Sequence, residues 1–319
     1  MTPLRIAVIG VGHMGLLHQR KVAQLARETG EATVSAVVDI DPVRREQAAH
    51  EAGVPGLACH RDVIGLADAA IIAVSTQSHY EIADDLLRAG LHVLVEKPVA
   101  ATLGEAERLL ELARRAGRVL QVGHLERFNP ALQAVGKYTQ RPLFVEAHRL
   151  GPFPERSTDI DVVRDLMIHD IDIIQRLVGA EPDRIEAVGV PVLTDKVDIA
   201  NARLHFPTGC VANLTASRVS PTPMRKVRVF QVDGYFSIDL LAHAVVIFRR
   251  VQRAGESAPH IEMEKLDFDP DDALLSQLRN FVAAVRGRAE PVVPASEGLS
   301  ALRTALRVVE AMPSLDDLS

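Results

Sequence analysis

Two kinds of apolar pattern divide the chain. Up to Val122, short and nearly unbroken apolar runs (4–9, 33–38, 68–74, 91–95 and 118–122) alternate with longer amphipathic stretches. Runs without polar alternation are expected of strands covered on both faces. The stretches between them, 13–28, 42–52, 78–90 and 102–117, read as helices. Pro42 suits a first turn, and Gly90 and Gly117 suit helix ends. Strands separated by helices imply right-handed crossovers and a parallel, doubly wound sheet.

Beyond Gly123 the period changes to two. Ala202, Leu204 and Phe206 alternate with Asn201, Arg203 and His205, and Ala212, Leu214 and Ala216 with Asn213, Thr215 and Ser217. Each strand therefore has one apolar and one polar face. Further strands are predicted at 143–150, 184–190, 227–232 and 245–249, with 253–260 as a mobile loop. Two helical stripes close the chain: Leu274, Leu278, Phe281, Val282 and Val285, then Leu302, Leu306 and Val309. The expected fold is α/β. A doubly wound parallel sheet over 1–123 precedes an α+β domain over 124–319, whose open, mainly antiparallel sheet turns its polar face to water or to a second subunit.

Composition narrows the function classes. The 319 residues are 47% hydrophobic and 24% charged, ordinary for a globular protein. No leader pattern and no membrane-length apolar run is evident, which predicts a cytoplasmic protein. A net charge of −6 and the absence of tryptophan argue against nucleic acid as a partner. Cys59 and Cys210 lack metal-ligand spacing, so no metal site is expected.

The candidate chemistry lies where strands end. Leu4–Ile9 runs into Gly10, Gly12 and Gly15. In a dinucleotide fingerprint these allow the tight turn, the approach of the pyrophosphate and close helix packing, in that order. His13 and Met14 then open a helix whose N–H groups face the phosphates. Asp39 ends the second strand, where a carboxylate accepts from the adenosine ribose and repels a 2′-phosphate, favouring NAD over NADP. Its alternative is a turn residue before Asp41 and Pro42. Ser75, Thr76 and His79 follow the third apolar run and suit the ribose and nicotinamide side; helix capping is the competing role for the hydroxyls. Glu96, Lys97 and Pro98 follow the next strand and belong to the same cofactor surface, with Lys97 placed for proton transfer beside a nicotinamide ring. Asp165 and His169 share a helix face at i and i+4, where an imidazole can take a hydroxyl proton and a carboxylate can orient it.

GVGHMG, then Asp39, the EKP at 96–98 and the DLMIHDIDII containing Asp165 and His169 together resemble the Gfo/Idh/MocA oxidoreductase family over essentially the whole chain. The resemblance implies a Rossmann domain binding NAD and a reacting carbinol of a sugar or cyclitol surrounded by Lys97, Asp165 and His169. It also implies a cis Lys97–Pro98 peptide, and dimers or tetramers formed through the open sheet. GHLERFNP at 123–130 and HRLGPFPERSTDIDVVRDLMIHD at 148–170 resemble one branch of that family, which oxidises C3 of UDP-N-acetylglucosamine ahead of an aminotransferase making a 3-amino sugar for lipid A or a surface glycan. In that likeness Arg127, Arg149, Arg156 and Arg164 are candidates for gripping the UDP-sugar diphosphate, since planar guanidinium groups match phosphate oxygens, with an ordinary ion pair as the alternative for each. Glu126 and Asn129 read sugar hydroxyls or the acetamido group. Many family members carry glycines just before the DxxxH aspartate. This chain has Asp161, Val162, Val163 and Arg164 there, a departure from inositol and simple-sugar dehydrogenases. Two alternatives stand beside this reading: a family dehydrogenase for an inositol, a free sugar or a UDP-uronate, and a non-catalytic regulator that senses NAD or sugar.

Overall fold

The computed structural model describes residues 2–153, 160–252, 258–269 and 271–313. The chain forms two compact units, Met1–Leu125 with Asp272–Leu299, and Glu126–Asp271 with Ser300–Ser319.

The first unit carries β1 (Leu4–Ile9), α1 (His13–Thr29), β2 (Ala32–Val38), α2 (Pro42–Ala52), β3 (Gly56–Leu57), β4 (Ala69–Ile72), α3 (His79–Arg88), β5 (His92–Val95), α4 (Leu103–Ala116) and β6 (Leu120–Val122). The strands lie in the order β3-β2-β1-β4-β5-β6, all parallel. Strand order reverses beside β1, so the ligand crevice of this topology lies at the carboxyl ends of β1 and β4. Ile6, Ala7, Val8 and Ile9 are buried, as an unbroken apolar run requires. Helix starts follow local chemistry. Asp41 caps α2 ahead of Pro42, and Thr102 and Glu105 form a reciprocal capping box on α4.

The second unit contains α5 (Pro130–Gly136), β7 (Phe144–Leu150), α6 (Ile168–Val178), β8 (Arg184–Val190), β9 (Ile199–His205), β10 (Val211–Ser217), β11 (Met224–Gln231), β12 (Gly234–Asp239), β13 (Ala244–Val251) and β14 (His260–Asp267). The eight strands run β14-β13-β12-β11-β7-β10-β9-β8, antiparallel except for the β10–β7 pair. Val145, Ala147, Ala202, Leu204, Ala212, Leu214, Val227 and Val229 on one face share a core with Val163, Met167, Ile168, Ile171 and Ile174. The other face carries a row of rings, Phe144, Phe230, Tyr235 and Phe248, with successive centroids 5.5, 4.6 and 5.2 Å apart. Met263, well exposed on β14, pairs opposite Phe248 and extends the row.

The two last helices are α7 (Ala273–Val285) and α8 (Ala295–Glu310). A boundary at 123/124 assigns both to the second domain, and α7 corrects it. Leu275, Leu278, Phe281 and Val282 join Leu4, Ile6, Val8, Val22 and Leu25 in the core of the first unit. Lys21–Asp272 and Arg279–Glu28 ion pairs fasten the same helix to α1. The apolar stripe of α7 is buried against the parallel sheet's helix layer, while Ala301, Ala305 and Val308 of α8 enter the second core. Of the expected loop at 253–260, residues 253–257 lie outside the described residues, and His260 already begins β14. No helix among the described residues is long and apolar enough to cross a membrane.

Candidate active site

The glycine turn has the geometry its spacing predicts. Gly10 sits at φ 83°, and a Cβ there would lie 2.6 Å from the Ala73 carbonyl oxygen. A Cβ on Gly15 would come within 1.7 Å of the Gly10 oxygen, so only glycine lets α1 start this close to β1. Around Gly12 nothing lies within 4 Å of an added Cβ, which leaves the backbone open to a bound group. Gly12 is also the cap residue of α1 and offers no side chain to its first amides, the arrangement that receives a pyrophosphate. His13 is exposed here and Met14 half-buried.

Asp39 is held by two backbone donors. Its Oδ2 accepts from the Val11 N–H at 2.9 Å and its Oδ1 from the Asp41 N–H at 2.9 Å. The turn role therefore leaves room for a ribose contact, because a carboxylate pinned through one lone pair on each oxygen keeps others for hydroxyls. Open turn, uncapped helix and fixed carboxylate together fit a dinucleotide without a 2′-phosphate.

At the ends of β4 and β5 the residues sort differently from expectation. Ser75 is exposed and Thr76 half-buried, and the Ser75 hydroxyl makes no cap hydrogen bond, which leaves it suited to a ligand. His79 is held inside the fold as a strap between two carbonyls. It is 1% exposed, its Nδ1 donates to the Pro98 carbonyl at 2.8 Å, and its Nε2 lies 3.2 Å from the Val74 carbonyl. Burial pushes its pKa down, against the pull of both carbonyls. Glu96 is engaged inward as well: the buried His18 donates from Nε2 to Glu96 Oε1 at 2.7 Å. Burial opposes ionisation of Glu96. The His18 hydrogen bond and the charges of His18, Lys97 and His79 outweigh it and hold the carboxyl below its ordinary value. Lys97 is half-buried between these two anchored neighbours, and the Lys97–Pro98 peptide is cis.

In the second unit Asp165 lies in a π-helical turn, Val163–Met167, that leads directly into α6, with His169 in the first turn of that helix. Wide turns of this kind recur at functional sites, because one extra residue per turn re-aims the side chains that follow. Met167, Ile168 and Ile171 are buried around the pair, and Asp165 and His169 themselves are half-buried.

Of the arginines expected at the diphosphate, two are engaged with carboxylates inside the fold. Arg127 is buried with Asp172, Nε to Oδ2 at 2.6 Å and Nη2 to Oδ1 at 2.8 Å. Arg149 is buried with Asp170 in the same forked way and donates from Nη1 to Glu126 at 2.8 Å. Burial works against the Arg149 charge, yet the two carboxylates raise its pKa, while burial raises that of Asp170. Asn129 spends its amide on the fold: Oδ1 accepts from Ala131 N–H, and Nδ2 donates to the Leu240 carbonyl at 3.1 Å. These groups are engaged by one another and by the backbone. Arg164, paired with Asp161 at 2.6 Å and one-third exposed, keeps a face toward solvent. Arg156 lies outside the described residues.

Residues 4–124 match the family described as oxidoreductase, NAD-binding Rossmann fold, of the Gfo/Idh/MocA type, and residues 141–237 match its C-terminal domain. The UDP-N-acetylglucosamine 3-dehydrogenase of Acidithiobacillus ferrooxidans is 36% identical over 309 residues, 97% of each chain. The chain belongs to the Gfo/Idh/MocA oxidoreductase family. Its first unit accordingly contains the NAD-binding Rossmann domain of the family, and its cofactor is NAD. A crystal structure of the same Acidithiobacillus enzyme superposes with a TM-score of 0.90 at 35% identity, covering 98% of both chains. The scyllo-inositol 2-dehydrogenase of Bacillus subtilis is more distant, 27% identical over 91% of this chain and 88% of that one.

Sequence reasoning about this Gfo/Idh/MocA chain missed the carboxylates that hold its arginines. Asp170 and Asp172 stand out as charges inside an otherwise apolar helix, IHDIDII, and that is the signal that announces buried partners. His18 gave no signal beyond lying on the helix after the glycine turn.

Proposed function

We propose that this protein is an NAD-dependent dehydrogenase that oxidises the C3 hydroxyl of UDP-N-acetylglucosamine to the 3-oxo sugar nucleotide. The observation that carries the reading is end-to-end similarity, at 36% identity, to an enzyme named for that reaction. His169 accepts the C3 hydroxyl proton, Asp165 orients the imidazole, and Lys97 polarises and positions the C3 oxygen. Bound NAD⁺ supplies the acceptor for the C3 hydride. Ser75 and Thr76 line the cofactor, Glu126 and Arg164 face the sugar nucleotide, and Arg156 completes the diphosphate contact.

The product is a ketone at C3, suited to an aminotransferase that converts it to a 3-amino sugar. In this reading the enzyme works in the cytoplasm and serves lipid A or a surface glycan. It assembles as a homodimer or homotetramer through the exposed face of the eight-stranded sheet. The half-buried ring row from Phe144 to Phe248, with exposed Met263 beside it, supports that assembly, because contiguous apolar surface marks a partner site.

The test is NADH formation from NAD⁺ and UDP-N-acetylglucosamine, with a sugar-nucleotide aminotransferase and glutamate present to draw the oxidation forward. NADH together with a 3-amino sugar nucleotide is the expected result. Cofactor binding with no turnover would move the search to UDP-uronates and inositols. Silence on that wider panel would favour a sensor.

A further inference from the structure

We infer that His18 is a positioning residue that acts through Glu96 on Lys97, tying the turn that carries the lysine to the helix that receives the dinucleotide. The inference rests on the catalytic role proposed above for Lys97.

The turn 96–98 is anchored at both ends. At its far end the Pro98 carbonyl accepts from His79, whose ring also abuts the Val74 carbonyl. Val74 in turn packs on the glycine turn, since its Cγ1 lies 2.6 Å from where a Cβ of Gly10 would stand. At the near end the backbone N–H of Glu96 completes the β4–β5 ladder on the Ile72 carbonyl at 2.9 Å. The Glu96 side chain then turns inward over Gly123, where an added Cβ would sit 2.9 Å from its Oε2. Its Oε1 meets His18 at 2.7 Å. His18 is 1% exposed and lies within α1, the helix whose uncapped start follows Gly12.

Both tethers thus lead back to the glycine turn, one through Val74 and one through α1. The backbone hydrogen bond fixes where the turn begins, the His79 bond fixes where it ends, and the bond with His18 holds the Glu96 side chain that immediately precedes Lys97. A charge-assisted bond at this length is directional. A reacting group misplaced by about 1 Å costs on the order of a hundredfold in rate, so such a bond is felt in turnover.

The experiment is a double-mutant cycle in the full-length enzyme with His18→Leu and Lys97→Met. NADH formation from UDP-N-acetylglucosamine is read at saturating NAD⁺. His18→Leu is expected to lower kcat by roughly 10- to 100-fold, and His18→Gln, which keeps an N–H donor, to recover most of that loss. In the Lys97→Met background His18→Leu is expected to add less than about twofold, because the two residues act as one unit. Independent, multiplying losses would overturn the inference. Full turnover by Lys97→Met alone would remove the catalytic role of the lysine and the inference with it. Should His18→Leu not yield folded protein, Glu96→Gln replaces it in the cycle.

A second readout needs no substrate: the rate of reductive methylation of Lys97, followed by mass spectrometry, with Lys196 and Lys226 as internal references. A severalfold change at Lys97 alone in His18→Leu is expected. An unchanged rate, or an equal change at all three lysines, would overturn the positioning role. A selective change in a protein that turns over no sugar nucleotide would sink the substrate assignment and leave the positioning intact.

Discussion

The two units carry charge in opposite ways. In the first, the carboxylates at the strand ends are held by light means: Asp39 by the Val11 and Asp41 amides, Glu96 by one histidine. In the second, whole ion pairs are enclosed: Arg127–Asp172 at 2.6 Å, Arg149–Asp170 at 2.8 Å and Arg218–Asp198 at 2.7 Å, all six side chains nearly inaccessible. Enclosing a charge is costly unless a partner and further hydrogen bonds meet it, and each of these arginines makes at least two. An arginine near an anionic substrate is therefore a ligand only when its own fold has not already claimed it. Here the strand ends of the first unit are arranged for a ligand, and the enclosed charge of the second unit is arranged for rigidity.

The sharpest way to break this contrast is to remove the reacting groups. Lys97→Met and His169→Asn are each expected to lower kcat by roughly 10²- to 10⁴-fold with unfolding midpoints unchanged. Near-normal turnover in both folded variants would remove the chemistry from these positions. Next comes rigidity. Asp172→Ala leaves Arg127 buried without its carboxylate and is expected to cost about 3–5 kcal/mol, read by urea denaturation. A loss under about 1 kcal/mol would place Arg127 among the exposed pairs.

Acid should expose the same dependence. Burial opposes ionisation of Asp198, but the Leu193 and Thr194 amides, Arg218 and the Val192 amide outweigh it and lower its pKa below 3.8. A carboxyl depressed in the folded state stabilises fully above its unfolded value and progressively less as pH falls below about 4. Asp198→Asn should thus lower stability at neutral pH and flatten the acid limb of the unfolding midpoint. An unaltered limb would show that other carboxylates govern acid unfolding.

Smaller effects sharpen the picture. Asp39→Ser should reduce the preference for NAD⁺ over NADP⁺ by on the order of tenfold, since like-charge repulsion of the 2′-phosphate is removed. Arg164→Ala should change stability by less than about 1 kcal/mol while raising KM for the sugar nucleotide, a combination that a purely structural arginine would not give.

The parallel sheet and its glycine turn were legible because their determinants are local. An unbroken apolar strand, a glycine where a Cβ would strike a carbonyl and a helix behind it are neighbours in sequence. The second unit resisted for the opposite reason. Asp172 lies far along the chain from Arg127, and only the folded helix reveals that their forks meet. Asn129 looked like a ligand group, yet caps α5 and reaches the carbonyl of Leu240. β14 escaped because it is an edge strand whose Ile261, Met263, Glu262 and Glu264 are all exposed, so no buried face imposes a period. The stripe on α7 announced a helix but not which core would receive it.

The burial of α7 in the first unit has a consequence for biosynthesis. Ribosomal synthesis runs from the N-terminus, and domains generally fold in that order as they emerge. The parallel-sheet unit of this protein lacks Leu275, Leu278, Phe281 and Val282 until α7 has been made, after the entire antiparallel sheet. This unit begins before the antiparallel sheet and is completed only after it. Its nascent form carries an uncovered patch of α1 and β1 through most of translation, an opening for chaperones and a reason why a fragment ending at β6 is a poor starting point for a minimal cofactor-binding protein.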